Sequence, residues 1–334
     1  MSKMIKIGFI GFGNHAVKNI IDKINVEENR LLHRVYVRDT EKYKSLFPAY
    51  SNIFTSNIDE IYDKANIDVI YILSPISTHY QYAIRALDND IHVWCEKPLT
   101  DSYDKTQQLL GLAGRKGLFL GEVVAYRHHR QFQVIENLVS AQRAQKQRLL
   151  QSTASFCIPA LEPTNIRYNA ALSGGALLDV GFYPLSIAAD VFGVPSKVHA
   201  VGHFSAEIGV DLSGSALLDY GDFCHIAHWA IGSVYRNELE MSFKDSRYQV
   251  ERAFSKPASL TTHIAAQTEY GVKSEILTVD PDDQFENMFR HFTDVMNAGN
   301  RHAMSQMANQ SVVRAQLIEN VRQTMTRTGD AVIS

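Results

Sequence analysis

Hydrophobic positions in the first 125 residues follow two alternating spacings, which predict strands followed by helices. The short apolar runs "KIGFIG", "HRVYVRD", "IDVIYILS", "IHVWCE" and "LFLGEVVA" are typical of strands. Between them apolar residues recur every three or four positions, as at Tyr80, Ala83, Ile84 and Leu87. Strands that alternate with helices form parallel sheets with crossover helices. The pattern therefore predicts an α/β domain with a doubly wound parallel sheet.

The pattern changes after residue 125. A helix is predicted near Gln131 to Gln147, and longer alternating segments follow, among them "LQSTASFCI", "CHIAHWAIGS" and "NELEMSF". Alternating strands with short polar turns favour a large, mostly antiparallel sheet with one covered face. The segment from Gln284 to Thr326 is predicted to be helical again. We therefore predict two domains, residues 1–124 and an α+β domain of residues 125–334.

Composition supports two domains and excludes several classes of partner. A chain of 334 residues is too long for one typical core, and 45% hydrophobic with 21% charged residues is ordinary for a globular protein. The formal net charge of −3 gives no electrostatic reason to expect nucleic acid or an anionic membrane as a partner. The longest apolar tract, residues 170–194, is interrupted by Asp179, Pro184 and Asp190, so it is not predicted to span a membrane. Three widely spaced cysteines are typical of a reducing compartment, and we expect a cytoplasmic protein.

A glycine-rich turn follows the first predicted strand and opens a helix. Gly11 permits a tight turn, Gly13 lets the backbone approach a pyrophosphate, and Ala16 allows close packing of helix on strand. The helix start offers N–H groups and a positive dipole end to phosphates. The alternative is a purely structural turn. We predict a Rossmann dinucleotide site whose phosphate contacts come from Gly11, Gly13, Asn14, His15 and Ala16.

The end of the second strand bears on which dinucleotide is bound. A carboxylate there pairs with the ribose hydroxyl of NAD, whereas an arginine favours the extra phosphate of NADP. The chain has Val37 where an acid is expected, and Arg38 and Asp39 follow it. The sequence favours NADP bound by Arg38, with NAD held by Asp39 as the alternative.

Two further segments lie at the carboxyl ends of predicted parallel strands, where open α/β sheets bind ligands. These are "SPISTHYQYAIRAL" and "HVWCEKPLT", in which Pro75 and Pro98 end the strands. Lys97 would then lie where a nicotinamide binds, and its ammonium would stabilise charge on a substrate oxygen. The alternative is a surface ion pair of Glu96 and Lys97. Expected cofactor contacts here are Ser74, Pro75, His79, Glu96 and Lys97.

Six blocks, in order along the chain, resemble the Gfo/Idh/MocA oxidoreductases. They are "GFGNHA", "DVIYILSPISTHYQYAIRAL", "CEKPL", "AYRHHRQFQ", "NIRYNAALSGGALLDVGFYP" and "YRNELE". The resemblance implies that Lys97 is a catalytic-site residue near the nicotinamide. In the branch that has tyrosine before proline in the fifth block, Tyr183 is implied to be the proton donor or acceptor. Taken alone, Tyr183 would be interpreted as core packing.

The residues near Tyr183 extend this hypothesis. Asp179 lies one helical turn before Tyr183, so both side chains would share a face if the segment is helical. A neighbouring cation favours the phenolate form, and Lys97 would supply one. The hypothesis therefore requires Lys97 and Tyr183 to converge on one reactive carbon. The predicted catalytic residues are Lys97, Tyr183 and Asp179.

The resemblance implies an NAD(P)-dependent oxidoreductase. It would transfer a hydride between nicotinamide and a carbinol or carbonyl carbon of a sugar, a sugar nucleotide or a related polyol. The alternative is a non-catalytic, NADP-sensing regulatory protein on the same fold. No metal is expected, because His225 and His228 would point to opposite faces of a strand. A homodimer or homotetramer through the open face of the second sheet is expected. The candidate substrate residues in the second domain are Arg127, Arg167, Tyr168, Tyr235 and Arg236.

Overall fold

Two units make up the computed structural model, which describes residues 4–24, 29–268 and 273–330. The first unit consists of Met1–Val124 and Phe285–Val312, and the second of Ala125–Gln284 and Val313–Ser334. The predicted domains divided the chain once, after residue 124. The first unit therefore also includes a helical segment that the sequence analysis had assigned to the second domain.

A parallel sheet forms the centre of the first unit. Within the described residues it has six strands in the order β3-β2-β1-β4-β5-β6, all pairs of which are parallel. All four residues of β4 are buried, as expected for a strand covered on both faces. The predicted doubly wound sheet is confirmed. The strands are β1 (Ile5–Ile10), β2 (Arg30–Tyr36), β3 (Phe54–Thr55), β4 (Val69–Ile72), β5 (His92–Glu96) and β6 (Leu120–Val123).

Helices cover this sheet. A π-helical segment, Ala16–Ile20, continues into α1 (Ile21–Ile24), and α2 (Thr40–Leu46), α3 (Ile76–Asp88) and α4 (Tyr103–Lys116) follow along the chain. Short 3-10 helices lie at Pro48–Tyr50 and Ile58–Ile61. The periodicity of α3 and α4 arises because their apolar faces pack on the sheet.

Aromatic packing explains why residues 285–312 belong to the first unit. The helix α8 (Gln284–Asn297) brings Phe289 and Phe292 against the sheet. The Phe289 ring stacks on Trp94 with centroids 5.3 Å apart, and Phe292 contacts Phe119 edge-on at 5.2 Å. These rings are fully buried, so α8 provides a large share of the apolar cover of β5 and β6.

A second sheet forms the centre of the second unit. Within the described residues it has nine strands in the order β14-β13-β12-β11-β7-β10-β9-β8-β15. Its pairs are antiparallel except β7 with β10 and β8 with β15. The predicted mostly antiparallel sheet is confirmed. The strands are β7 (Leu149–Ile158), β8 (Lys197–Phe204), β9 (Asp211–Asp219), β10 (Cys224–Ile231), β11 (Arg236–Phe243), β12 (Ser246–Glu251), β13 (Thr262–Thr268), β14 (Lys273–Val279) and β15 (Met325–Asp330).

Three helices, α5 (Arg130–Ala144), α6 (Ala176–Asp179) and α7 (Phe182–Phe192), belong to the second unit, and α9 (Arg301–Thr324) begins in the first unit and ends in the second. Short 3-10 helices lie at Ala125–His128, Ile166–Tyr168 and Ala170–Leu172. None of the individual helices among the described residues combines the length and hydrophobicity that a membrane span requires. One pair of segments, Ala170–Asp179 with Phe182–Phe192, passes that test by length and composition, with a 54° bend between them.

Candidate functional site

The glycine-rich turn of the first unit has the backbone that the sequence predicts. Gly11 has a φ of +96°, and a side chain there would meet the Leu73 carbonyl group at 3.0 Å. Gly13 is exposed, and no atom lies within 4 Å of the position that its Cβ would occupy. Ala16 is buried at 1% exposure, so the helix packs closely on the sheet. The turn thus leaves open space beside a helix start, which fits the pyrophosphate of a dinucleotide.

His15 connects this turn with the end of β5. The Asn19 amide donates to His15 Nδ1 at 3.0 Å, so the imidazole carries its proton on Nε2. His15 Nε2 then lies 3.3 Å from Glu96 Oε1. The structure therefore brings together two of the predicted cofactor residues, which are separated by 81 positions in the chain.

Glu96 is held as a carboxylate at this position. The Tyr71 hydroxyl donates to Glu96 Oε1 at 2.6 Å. Burial alone would raise the pKa of Glu96, but His15, the Tyr71 hydroxyl and Lys97 together hold this pKa below its ordinary value. Glu96 therefore acts as a fixed negative charge that orients His15 beside the glycine-rich turn.

At the end of β2, Arg38 and Asp39 have different surroundings. Asp39 Oδ1 accepts a hydrogen bond from the Lys42 N–H at 3.0 Å and caps α2. Arg38 is exposed, next to the buried Val37. One carboxylate oxygen of Asp39 is thus engaged by the helix, whereas the Arg38 guanidinium faces solvent.

His79 holds together the two segments that end β4 and β5. Its Nε2 lies 2.9 Å from the Ser74 carbonyl oxygen, and its Nδ1 lies 3.0 Å from that of Pro98. The imidazole is 1% exposed, and burial lowers its pKa. The sequence analysis named His79, Ser74 and Pro75 as cofactor contacts. In the structure the His79 ring is buried and contacts the backbone of both segments.

The segment around Lys97 is fixed from the neighbouring strand as well. The Leu99 N–H donates to Glu122 Oε1 at 2.9 Å, and Glu122 is only 8% exposed. Lys97 itself is half-buried and precedes a cis peptide bond to Pro98. Sequence reasoning missed Glu122, although an acid inside the apolar run "LFLGEVVA" was a signal that could have identified it.

In the second unit, Tyr183 lies among aromatic rings. Its ring centroid is 4.7 Å from that of Phe156, 5.6 Å from that of Phe254 and 6.3 Å from that of Tyr126. The Ser186 hydroxyl donates to the Tyr183 carbonyl oxygen at 2.9 Å. Tyr183 is half-buried, so its ring is packed on several sides while part of the side chain is still accessible.

Asp179 and Arg167 form a forked ion pair near Tyr183. Arg167 Nε donates to Asp179 Oδ2, and Arg167 Nη2 donates to Asp179 Oδ1 at 3.3 Å. Asp179 and, to a smaller extent, Tyr183 raise the pKa of the Arg167 guanidinium, although burial opposes them. The structure thus brings Asp179, Tyr183 and Arg167 together in one unit.

The four other candidate substrate residues have structural partners. Arg127 Nε lies 3.2 Å from Asp190 Oδ2, which also accepts from the Tyr126 hydroxyl at 3.0 Å. Tyr168 is buried, and its hydroxyl accepts from the Leu161 N–H at 3.1 Å. The remaining two are Tyr235, whose hydroxyl accepts from the Asn237 amide at 2.9 Å, and Arg236, which pairs with Glu238 at 3.0 Å.

The histidines considered for a metal lie on opposite faces of β10. His225 is fully buried, and its Nε2 lies 3.2 Å from the Pro184 carbonyl oxygen. His228 Nδ1 lies 2.8 Å from Ser215 Oγ on the other face. Among the described residues no group of three or more histidine, cysteine, aspartate or glutamate side chains could hold a metal ion.

Comparison with known proteins finds similarity along most of the chain. Residues 5–124 match the model of an oxidoreductase family with an NAD-binding Rossmann fold, GFO_IDH_MocA, and residues 132–251 match the GFO/IDH/MocA C-terminal domain. The chain is 33% identical to dTDP-3,4-didehydro-2,6-dideoxy-α-D-glucose 3-reductase from Saccharopolyspora spinosa, over 90% of each chain. It is 25% identical to D-xylose 1-dehydrogenase (NADP(+)) 2 from Haloferax volcanii, over 92% of this chain and 94% of that one.

The fold also matches solved structures. A crystal structure of a 3-ketoreductase from Actinomadura kijaniata, in complex with NADP and TDP-benzene, superposes with a TM-score of 0.90 at 24% identity. The match covers 97% of this chain and 99% of that one. At this level of identity the likeness concerns the fold.

Proposed function

The chain belongs to the GFO/IDH/MocA oxidoreductase family, and on that premise we propose that it is an NADP-dependent reductase of a keto group on a sugar, with a sugar nucleotide as the favoured substrate class. The observation that carries the proposal is the position of Lys97 at the carboxyl end of β5. The residues that follow it are held by His79 and Glu122, and the preceding Glu96 contacts His15 of the glycine-rich turn. Whole-length similarity to a nucleotide-sugar 3-reductase supports the substrate class.

The cofactor would be held by the first unit. The backbone of Gly11 to Ala16 would bind the pyrophosphate, and the exposed Arg38 would bind the additional phosphate of NADP through its planar fork. Asp39 supports this preference because one of its oxygens already caps α2. NAD, with Asp39 on the ribose, remains the alternative.

The bound nicotinamide supplies the hydride, and the protein manages the charge and the proton. The Lys97 ammonium would donate a hydrogen bond to the substrate oxygen and stabilise the negative charge that develops there. The Tyr183 hydroxyl would give its proton to that oxygen as the carbonyl becomes a carbinol. Asp179, paired with Arg167, would provide the polar side of the surroundings of Tyr183. In the oxidative direction each proton transfer is reversed.

The second sheet also has a face that could bind another copy of the chain. The face of the second sheet opposite its helices exposes the apolar residues Val201, Leu217 and Ile276. We propose that a second copy of the chain covers this face in a homodimer or homotetramer. Light scattering coupled to size-exclusion chromatography tests this, and a monomer at micromolar concentration would contradict it.

A turnover assay tests the proposed activity. NADPH oxidation should be measured with a panel of keto sugars, some free and some linked to a nucleoside diphosphate. The Tyr183→Phe variant is the control. Turnover that depends on Tyr183 and is faster with nucleotide-linked substrates is expected. Tight NADPH binding without turnover of any panel member would instead support the NADP-sensing regulator.

A further inference from the structure

Hydrogen bonds and one close glycine contact fix the backbone of Arg167. Asn165 Oδ1 accepts from the Arg167 N–H at 3.1 Å, and the Gly175 N–H donates to the Arg167 carbonyl oxygen at 2.8 Å. A side chain on Gly174 would lie 2.5 Å from that same oxygen. Only a residue without a Cβ therefore lets this part of the chain pack so closely against Arg167. Gly174 thus serves the placement of Arg167, whereas Gly175 is required by its own φ of +113° and by the nearby Asp211 side chain.

Asp179 fixes the orientation of the Arg167 guanidinium. Its two contacts with Asp179 are the parallel hydrogen bonds of a fork, which fix both the position and the plane of the group. The Asp179 side chain is 15% exposed, and that of Arg167 is 38% exposed. Arg167 therefore keeps an accessible edge while Asp179 anchors it.

Asp179 ends α6 and Tyr183 lies in the first turn of α7, with a 54° bend between the two segments. Val180 and Gly181 have helical angles, and the Tyr183 N–H donates to the Val180 carbonyl oxygen at 3.3 Å. The backbone that joins Asp179 to Tyr183 is therefore one bent helical turn, which keeps the two residues close along the chain. Arg167, bound to Asp179 through the fork, is consequently anchored to a residue that lies one turn before Tyr183.

The aromatic rings around Tyr183 explain why a cation is needed there. Phe156, Phe254 and Tyr126 pack around its ring and provide little solvation for a negative charge. A fixed guanidinium compensates for this at the moment the phenol loses its proton.

We propose that Arg167 is a positioning residue of the proton transfer: held by Asp179, its guanidinium stabilises the phenolate that Tyr183 becomes when its O–H bond breaks and the proton bonds to the substrate oxygen. The sequence analysis had assigned Arg167 to substrate recognition. The proposal rests on the proposed function. It requires no further reactant, because the hydride comes from the reduced cofactor and water restores the Tyr183 proton afterwards.

Two variants and one control test this role. Arg167→Gln removes the charge, Arg167→Lys retains it without the fork, and Arg322→Gln removes an arginine of similar exposure that pairs with Glu319 on α9. For keto-sugar reduction, Arg167→Gln should lower kcat by about 10- to 100-fold and move the high-pH loss of activity upward by about one pH unit or more. Arg167→Lys should recover most of that pH shift, and Arg322→Gln should match the unsubstituted protein.

A measurement without turnover separates this inference from the proposed function. Ultraviolet absorbance of tyrosinate, taken as the difference from the matching Tyr183→Phe protein, follows the ionisation of Tyr183 alone. Ionisation at higher pH in Arg167→Gln than in the unsubstituted background supports the inference, whatever the substrate is. An unchanged ionisation midpoint overturns it. A raised KM with an unchanged pH profile would also overturn it, in favour of substrate recognition.

Discussion

Leu99, two residues after Lys97, donates its backbone N–H to the buried side chain of Glu122 at 2.9 Å. A buried carboxylate is costly unless its hydrogen bonds are satisfied. This contact ties the segment that ends β5 to the end of β6. It gives a structural reason for the acid inside an otherwise apolar strand.

Two substitutions of Glu122 should therefore distinguish the loss of the hydrogen-bond acceptor from the loss of the negative charge. Glu122→Ala leaves the Leu99 N–H without this acceptor and should lower the free energy of unfolding by about 1–3 kcal/mol. Glu122→Gln keeps an acceptor oxygen and should lose less. Urea unfolding of both variants checks this, and equal losses would show that the hydrogen bond to Leu99 is not the cause.

Lys97→Ala should abolish most of the activity while leaving the cofactor site intact. Turnover should fall by about two to four orders of magnitude, as expected when electrostatic and hydrogen-bonding assistance to the reacting oxygen is lost. NADPH affinity, followed by its fluorescence, should be nearly unchanged. Lys105→Ala, which removes a half-buried lysine paired with Asp101, is the matched control. Near-normal turnover by Lys97→Ala would remove Lys97 from the mechanism.

Arg38→Ala should reduce the preference for NADPH over NADH. The exposed guanidinium is the group expected to pair with the additional phosphate, so affinity for NADPH should fall while affinity for NADH is little changed. Arg34→Ala, which removes an arginine of β2 that is paired with Glu60, is the control. An unchanged ratio of the two affinities would assign the ribose to Asp39 and the cofactor to NAD.

Local signals account for what the sequence could predict. The β1–glycine turn–helix unit and the strand ending at Glu96-Lys97-Pro98 are defined by residues adjacent in the chain, so their fold was predictable. The strand β15 was not, because Met325–Asp330 follows a long helix and becomes a strand by pairing with β8. The rings of Phe289 and Phe292 predict an amphipathic helix without saying which sheet it covers.

The same limit applies to the candidate site. Lys97 and Tyr183 were identified through motifs, whereas the fork between Arg167 and Asp179 joins residues twelve positions apart across an irregular turn. No period or spacing predicts that contact. The positions of the Ser74 and Pro98 carbonyl groups beside the His79 ring nitrogens likewise depend on two strands being neighbours.

Lys256 should make the stability of the protein rise with pH. Lys256 is 8% exposed, and its amine donates to the Ala253 carbonyl oxygen at 3.1 Å. Burial lowers the pKa of Lys256 from 10.5 to about 7, although Asp282 opposes the shift. Between these two values the unfolded chain binds a proton that the folded chain does not, so the free energy of unfolding increases with pH across that window.

Lys256→Met tests this because methionine is also long and unbranched but lacks the titrating group. The variant should be more stable than the unsubstituted protein at about pH 6, by an amount on the order of a few kcal/mol, and the difference should shrink as the pH approaches 10. Chemical unfolding at several pH values measures it. His129 faces the same amine and is itself buried, with a pKa lowered to about 4 by burial, so its own titration falls below the window. A difference that stays constant from pH 6 to 10 would mean that Lys256 does not titrate there and that packing alone distinguishes the two side chains.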